Sequence, residues 1–159
     1  FFRIESSIKW PNDIHIEGRK VAGILTEARM DADQTRDVIL GIGLNVNGDT
    51  YNWPEDLKAI ATSIRQETGS AQDINRFTAA LAGRITLAYE QFVSDSHRAA
   101  LKEKWNSYDA LQGREVSLLQ GKDKITGITR GIDVHGALIL ERVDGSKILI
   151  RAGEVRIEK

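Results

Sequence analysis

Lys9-Trp10-Pro11-Asn12-Asp13-Ile14, followed beyond Glu17-Gly18 by Lys20-Val21-Ala22-Gly23-Ile24-Leu25-Thr26-Glu27, is the stretch on which the reading of this chain turns. Ser7 to Ile16 predicts a strand that Pro11 confines to an edge or a bend, since proline has no N–H for a ladder. Glu17-Gly18 predicts a two-residue turn, because glycine tolerates positive φ, and Val21 to Arg29 predicts the returning strand. With that loop, Ile16 faces Arg19, His15 faces Lys20 and Asp13 faces Ala22. Asp13 and Lys20 then become diagonal neighbours roughly 7 Å apart on one face, while Asn12 points the other way and meets Gly23. A glycine at 23 lets a ligand lie close to the strand backbone. An ammonium and a carboxylate held on a rigid sheet suit phosphate chemistry. The ammonium neutralises oxygens as charge builds in a transition state, and the carboxylate orients the lysine, binds a ribose hydroxyl or helps to hold a metal ion. The same two residues also read as a solvated surface ion pair.

Composition limits the alternatives. A chain of 159 residues holds one ordinary domain, or one with a small satellite. An apolar fraction of 41% and a charged fraction of 28% are those of a soluble globular protein. The net charge of −1 gives no electrostatic case for nucleic acid as a partner. No apolar run approaches the roughly 20 residues of a membrane span. The absence of cysteine excludes disulfides and thiolate metal sites and is compatible with a reducing compartment, the cytoplasm being the expected location. Phe1-Phe2-Arg3-Ile4-Glu5 lacks the pattern of a signal peptide, and a start without Met is expected of a fragment.

Further along, Met30 to Thr35 reads as a polar connection. Asp37 to Val46 reads as a third strand, apolar enough around Val38-Ile39-Leu40 to be buried on both faces. Residues 50–60 read as irregular around Trp53-Pro54. Ala61 to Thr68 predicts a short helix stopped by Gly69. Asp73 is the expected N-cap of a long helix running to about Ser94, with Phe77, Leu81, Ile85, Ala88, Tyr89 and Phe92 forming one stripe for the core. A further helix is expected from about His97 to Tyr108. After Leu111-Gln112-Gly113 the texture changes to five short strands, Glu115–Leu119, Lys124–Asp133, Ala137–Arg142, Lys147–Ile150 and Val155–Ile157. The turns between them are signalled by Gly121-Lys122-Asp123, His135-Gly136, Asp144-Gly145 and Gly153. So many short strands in so few residues fit a small barrel, and a domain boundary is expected near residue 112.

Other motifs carry less. Gly41-Ile42-Gly43-Leu44-Asn45 lacks the third glycine and the following helix of a dinucleotide fingerprint, and no P-loop occurs. His15, His97 and His135 show no metal-ligand spacing, so no metal site is expected. No nucleophile-elbow serine is present.

Three blocks together are more specific than any of this. Lys-Trp-Pro-Asn-Asp at 9–13, Arg-Lys-Val-Ala-Gly-Ile-Leu-Thr-Glu at 19–27 and Gly-Ile-Gly-Leu-Asn-Val-Asn at 41–47 resemble, in order and spacing, consecutive blocks of biotin protein ligases. Ala61-Thr62-Ser63-Ile64 resembles the segment that follows them. Gly127-Ile128-Thr129-Arg130-Gly131-Ile132-Asp133 with Gly136-Ala137-Leu138 resembles that family's small C-terminal domain. The resemblance implies an α+β fold: part of an antiparallel sheet with helices of the class II aminoacyl-tRNA-synthetase and biotin-ligase type over 1–111, then an SH3-like barrel over 112–159. It implies ATP-dependent activation of biotin to biotinyl-5′-AMP, with Mg²⁺ accompanying ATP, and transfer to a lysine of a biotin carboxyl carrier protein, the acetyl-CoA carboxylase subunit. By the same resemblance Lys20 and Asp13 are the catalytic residues. Lys20, Gly23 and Ile24 contact biotin, and Asn12, Asp13, Asn45 and Arg130 lie on the nucleotide side. Lys9 is a further site candidate or a surface lysine.

The family's Gly-Arg-rich loop, and the strands before it that supply polar contacts to biotin, have no counterpart here. The chain alone is therefore expected to bind biotin poorly and to turn over little, and its open sheet surface favours either self-association, with a homodimer as one form, or pairing with a missing partner fragment. Two other readings share these residues. One is a non-catalytic module that recognises a carrier protein or subunit. The other is a related acyl ligase of lipoate type, against which the Lys-Trp-Pro-Asn-Asp block speaks.

Overall fold

A computed structural model of the protein describes residues 4–31, 34–93, 98–120 and 123–158. The chain folds as two compact units: one runs up to Ser7 and from Asn12 to Gln72, the other comprises Ile8 to Pro11 and everything from Asp73 on. The N-terminal sheet takes its strands in sequence order: β1 (Ser7–Lys9), β2 (Asp13–Ile16), β3 (Arg19–Asp31) and β4 (Gln34–Leu44). The single strand expected over Ser7 to Ile16 is thus two, interrupted by a turn at Trp10 to Asn12 that contains a cis Trp10-Pro11 peptide. Pro11 brings no ladder donor to that position.

Glu17 and Gly18 both have positive φ, 48° and 77°, which is the two-residue hairpin turn whose twist matches that of its strands. Ile16 pairs with Arg19 and His15 with Lys20, as expected. The register then shifts. An irregularity at Ile14/His15 places Ile14 opposite Ala22 and Asp13 opposite Gly23, not Asp13 opposite Ala22. The extra residue is Val21 on β3, and a bulge of this kind changes which side chains share a face.

β3 and β4 form a long hairpin. Strand structure extends to Asp31 and resumes at Gln34, so most of the connection expected over Met30 to Thr35 is ladder; residues 32–33 lie outside the described residues. The double burial expected for β4 does not occur, Ile39 being 59% exposed and Val38 and Leu40 also open. The reason is where the core ends. Ile16, Val21, Ala22 and Ile64, with Ile4, Ile14 and Leu44 against them, form a cluster at the turn end of the sheet. Among the described residues the hairpin beyond Ile24 has no such cluster.

The region expected to be irregular contains a 3₁₀ turn at Thr50–Asn52, capped by the Asp49 carboxylate, and helix α1 (Glu55–Ile60). Pro54 precedes α1 and Glu55 and Asp56 occupy its first turn, where negative charge meets the positive end of the helix dipole. Helix α2 (Ile64–Thr68) is shorter than expected. Ala61 to Ser63 are extended, with Ala61 bridged in parallel to Lys20, and the Ser63 hydroxyl caps α2 by accepting the Gln66 N–H. Gly69 ends α2 at φ 70°.

In the second unit, Asp73 accepts the Arg76 N–H at the start of helix α3 (Ile74–Val93), and α4 (Arg98–Tyr108) follows; His97 and Ser94 lie outside the described residues. The apolar period of α3 is as expected, but its burial is not. No α3 residue is buried, and Phe92 is 66% exposed. Strands β5 (Glu115–Gln120), β6 (Asp123–Ile132), β7 (Leu138–Glu141), β8 (Lys147–Ile150) and β9 (Val155–Ile157) make one antiparallel sheet in the order β8-β7-β6-β5-β9. Leu111, Val116, Leu118, Ile132, Leu138, Leu140, Ile150 and Val155 form its core. Trp10 is buried in that core and its indole N–H donates to the Gly136 carbonyl at 3.0 Å. Among the described residues no helix is long and apolar enough to cross a membrane.

Two stability predictions follow from local physics. An added Cβ at Gly18 would meet nothing within 4 Å, so Gly18→Ala isolates the backbone cost of positive φ and should destabilise the chain by about 1–2 kcal/mol in urea denaturation. Asp109 carries the other. Burial pushes its carboxyl above the usual carboxylate range, outweighing the Leu111 N–H it accepts at 2.8 Å and the neighbouring Trp105 indole. A raised folded-state pKa means that the folded protein holds this proton more tightly. That contribution is complete below the unfolded value of 3.8 and is lost as pH rises through the folded one. Asp109→Asn, which keeps the acceptor, should therefore raise the melting temperature at pH 7 and lose this advantage progressively as pH falls towards 4.

Candidate functional site

The irregular pairing of β2 with β3 decides the site. Asp13 sits opposite Gly23, and Gly23 in turn sits opposite Gly43 on β4. Directly opposed residues share a sheet face, so Asp13, Gly23 and Gly43 form a row across three strands in which two positions have no side chain. Leu25 and Gly41 are the next pair on that face. The result is a strip of bare backbone with a carboxylate at one end.

Lys20 reaches onto this strip. Its Nζ lies 2.6 Å from the Asp13 Oδ1, a direct ion pair that a long side chain can make across the diagonal backbone spacing. The ammonium lies over Gly23: a Cβ there would be 3.1 Å from Lys20 Nζ and 3.4 Å from Asp13 Oδ1. The Lys20 side chain is 46% exposed and that of Asp13 22%, so the pair is open to a ligand on its solvent side.

Asn12 does not meet Gly23. Its Nδ2 donates to the Ile24 carbonyl at 2.6 Å and its own carbonyl accepts the Ile24 N–H at 2.9 Å. This double clamp holds the residue before Asp13 against β3. Ile24 itself pairs with Ile42, and strand alternation sends its side chain to the face opposite Gly23. Asn45 follows β4; its N–H donates to the Val21 carbonyl at 2.9 Å and its Nδ2 to the Thr62 carbonyl at 3.1 Å. The structure thus brings Lys20, Asp13 and Gly23 together, with Asn12 and Asn45 pinning the same strand. Lys9 lies half-buried on β1. Arg130 belongs to the second unit, where its guanidinium makes two bonds of 3.1 Å to the Glu141 carboxylate. That partner raises the Arg130 pKa and lowers that of Glu141.

Sequence reasoning missed Gly43 as part of the bare strip, because a glycine inside an apolar run reads as close packing. It also missed Thr62, Arg19 and Glu67. Thr62 is fully buried, donates its N–H to the Lys20 carbonyl at 2.9 Å and its hydroxyl to Glu67 Oε1. The same Oε1 accepts from Arg19 Nη2 at 2.9 Å. The available signal was Ser63-Ile64-Arg65-Gln66, which has the spacing of a capping box and so places the helix start after Thr62. Among the described residues no group of three or more His, Cys, Asp and Glu could hold a metal ion.

The chain is similar to known proteins along most of its length. Residues 112–157 match the family model of the biotin protein ligase C-terminal domain, and residues 3–45 that of the biotin/lipoate A/B protein ligase family. The chain is 38% identical over 152 residues to the bifunctional ligase/repressor BirA of Bacillus subtilis, covering 94% of this chain and 46% of that protein. It is 33% identical over 151 residues to the biotin–[acetyl-CoA-carboxylase] ligase of Mycobacterium tuberculosis, covering 95% of this chain and 53% of that protein. The chain therefore spans about half the length of these relatives. Among solved structures, the biotin protein ligase of Aquifex aeolicus in complex with biotin and ATP superimposes with a TM-score of 0.79 at 32% identity, over 96% of this chain and 62% of that one.

Gly23→Ala tests the strip. The new methyl would press on the flexible tip of Lys20 and not on backbone, so stability should stay within about 0.5 kcal/mol of wild type. Displacing the ammonium from its place over the strip should move the NMR signal of the Lys20 ammonium, and an unchanged signal would show that Gly23 does not set that place.

Proposed function

The chain belongs to the biotin protein ligase family, and we propose that it carries one wall of a ligase site that activates biotin with ATP and passes the biotinyl group to a protein lysine. The Lys20–Asp13 pair over the Gly23–Gly43 strip is the observation that carries this reading. Activation joins two anions that repel each other. The biotin carboxylate attacks the α-phosphorus of ATP, the bond to the bridging oxygen breaks, and pyrophosphate leaves with biotinyl-5′-AMP formed. Lys20 answers the main physical demand, since an ammonium placed between carboxylate and phosphate oxygens gains interaction as charge builds there. Asp13 holds that ammonium in place until substrate oxygens compete for it. The bare strip lets a flat ligand lie against backbone beside the ammonium, and Gly23 is the biotin-side residue in this reading, with Ile24 as its neighbour on β3. Asn12, Asp13 and Asn45 are assigned to the nucleotide side, and Arg130 is assigned to it by the family resemblance alone.

In the second step a lysine amine of a biotin carboxyl carrier protein, the acetyl-CoA carboxylase subunit, attacks the acyl carbon. The bond to the phosphate oxygen breaks, AMP leaves, and the amine loses a proton to give the amide. Mg²⁺ belongs to the reading as the counter-ion carried on the ATP phosphates, whose oxygens suit a hard cation. The described residues hold no cluster of ligands for a site of its own. Residues 1–111 are taken as the catalytic-domain part and 112–159 as the C-terminal domain, in a cytoplasmic protein that self-associates as a homodimer through its open sheet surface. The chain by itself is proposed to bind biotin weakly and turn over slowly.

The test is biotin-dependent release of pyrophosphate from ATP, with carrier biotinylation followed by mass spectrometry. The wild-type chain should give a slow, biotin-dependent release that Lys20→Gln lowers by about a hundredfold or more. Equal release by the two proteins would sink the role of Lys20. Rapid, complete biotinylation of a carrier domain would overturn the proposed weakness of the chain alone.

A further inference from the structure

We propose that Glu67 is a positioning residue for Lys20, acting through Thr62 and Arg19; the inference rests on the ligase reading of Lys20. The geometry is a clasp around one peptide carbonyl. The Lys20 carbonyl accepts the Thr62 N–H at 2.9 Å, and Ala61 is bridged to Lys20. Glu67 Oε1 takes hydrogen bonds from both flanks of that contact: the Thr62 hydroxyl on one side and Arg19 Nη2, from the residue before Lys20, at 2.9 Å on the other. Thr62 and Ser63 are fully buried, and the Glu67 side chain is only 10% exposed.

A charge-assisted hydrogen bond in so dry a place holds its partners more firmly than a surface pair does. Its consequence reaches the site through the backbone. Lys20 pairs with His15 on β2, but β3 leaves regular pairing at Val21, immediately after it, so the ladder supports Lys20 on one flank only. The clasp adds a constraint from the other side of the strand. α2 presents Glu67 for this purpose: Ser63 caps the helix, and Glu67 follows on its first full turn, with its N–H donating to the Ser63 carbonyl at 3.1 Å. The short helix after the extended Thr62-Ser63 segment therefore aims an acid back at the strand that carries the site lysine. Glu67 touches no substrate in this scheme. It sets where the Lys20 ammonium stands relative to Asp13 and the Gly23–Gly43 strip.

The experiment compares wild type, Glu67→Ala and Glu67→Gln in the whole chain. Three quantities are read: hydrogen exchange of the Thr62 amide, the NMR signal of the Lys20 ammonium, assigned with Lys20→Gln, and ATP binding by calorimetry. Glu67→Ala should accelerate Thr62 exchange about tenfold or more, shift the Lys20 ammonium signal and weaken ATP binding about tenfold. Glu67→Gln keeps an oxygen for Thr62 and Arg19 and should largely restore all three quantities. Should Glu67→Ala lower the melting temperature while the Lys20 signal stays in place, Glu67 is a stabilising residue only and the positioning role is wrong. If Glu67→Ala fails to fold, Glu67→Gln with Thr62→Val decides, since Thr62→Val removes one arm of the clasp and must shift the same Lys20 signal. Should the Lys20 signal move as stated while ATP binds Lys20→Gln as tightly as wild type, the clasp stands and the ligase reading of Lys20 falls.

Discussion

The open face around the Lys20–Asp13 contact depends on one irregularity, the unmatched Val21 in the β2–β3 ladder. In a regular antiparallel ladder from the Glu17-Gly18 turn, Asp13 would oppose Ala22, with a methyl group between the pair and any ligand. The single extra residue moves Asp13 opposite Gly23, and the ammonium of Lys20 can then cross an empty position to reach it at 2.6 Å. A bulge re-aims side chains by leaving one residue unpaired and bending and twisting the strand locally. Gly23 and Gly43 complete the arrangement by keeping the rest of that face open.

Two sets of contacts keep the irregularity in place. Asn12 clamps Ile24 through both backbone polar groups on the β2 side. On the other side, the N–H of Asn45 meets the Val21 carbonyl, and Thr62 meets that of Lys20. The unpaired residue of a bulge has carbonyl and amide groups that its partner strand no longer satisfies, and buried groups of that kind are costly unless something else bonds them. Here residues from β4's end and from the segment before α2 accept that task. The Asn residues of the two motifs are thereby understood as backbone partners first, and any contact they make with a nucleotide comes from amide groups already held in position.

Much of this was legible in the sequence, and what was not has identifiable causes. Turn chemistry was local, so Glu17-Gly18, Gly69 and Asp73 fell where the residues indicated, while Asp144-Gly145, read as a two-residue turn, lies in a loop of three with Val143. The five C-terminal strands were separated by turn residues and were read nearly to the residue. Burial was not local. Val38-Ile39-Leu40 has the composition of a strand covered on both faces, and Phe92 continues the stripe of an amphipathic helix, yet both stand exposed. Periodicity tells which face is apolar; it does not tell what covers that face. Register was legible only up to the bulge, since the extra residue has no signature of its own. Trp10 was singled out for its motif, while its role in this structure is in the C-terminal core, bonded to Gly136.

The energetics of the site explain why the pair is suited to chemistry and not to holding the fold. With both side chains partly open to solvent, an ion pair of this kind contributes on the order of 0–1 kcal/mol, because water competes for each charge and ordering two side chains costs entropy. The fold has other sources. Leu111, Leu138, Leu140, Val116 and Val155 are almost wholly buried in the second unit, and Val21 and Ile16 serve the first. Each such side chain contributes roughly 1.5–3 kcal/mol by leaving water. The Lys20 ammonium can therefore exchange the Asp13 oxygen for a ligand oxygen without endangering the structure around it. Glu67 stands in the opposite position: with its carboxylate shielded and bound from two sides, loss of either partner leaves a desolvated charge. The sheet thus keeps its firm ion pair behind Lys20, at the backbone, and its exchangeable one in front, at the ammonium, which is the division that a site needs if a charged group is to be held in place and still be free to change partners.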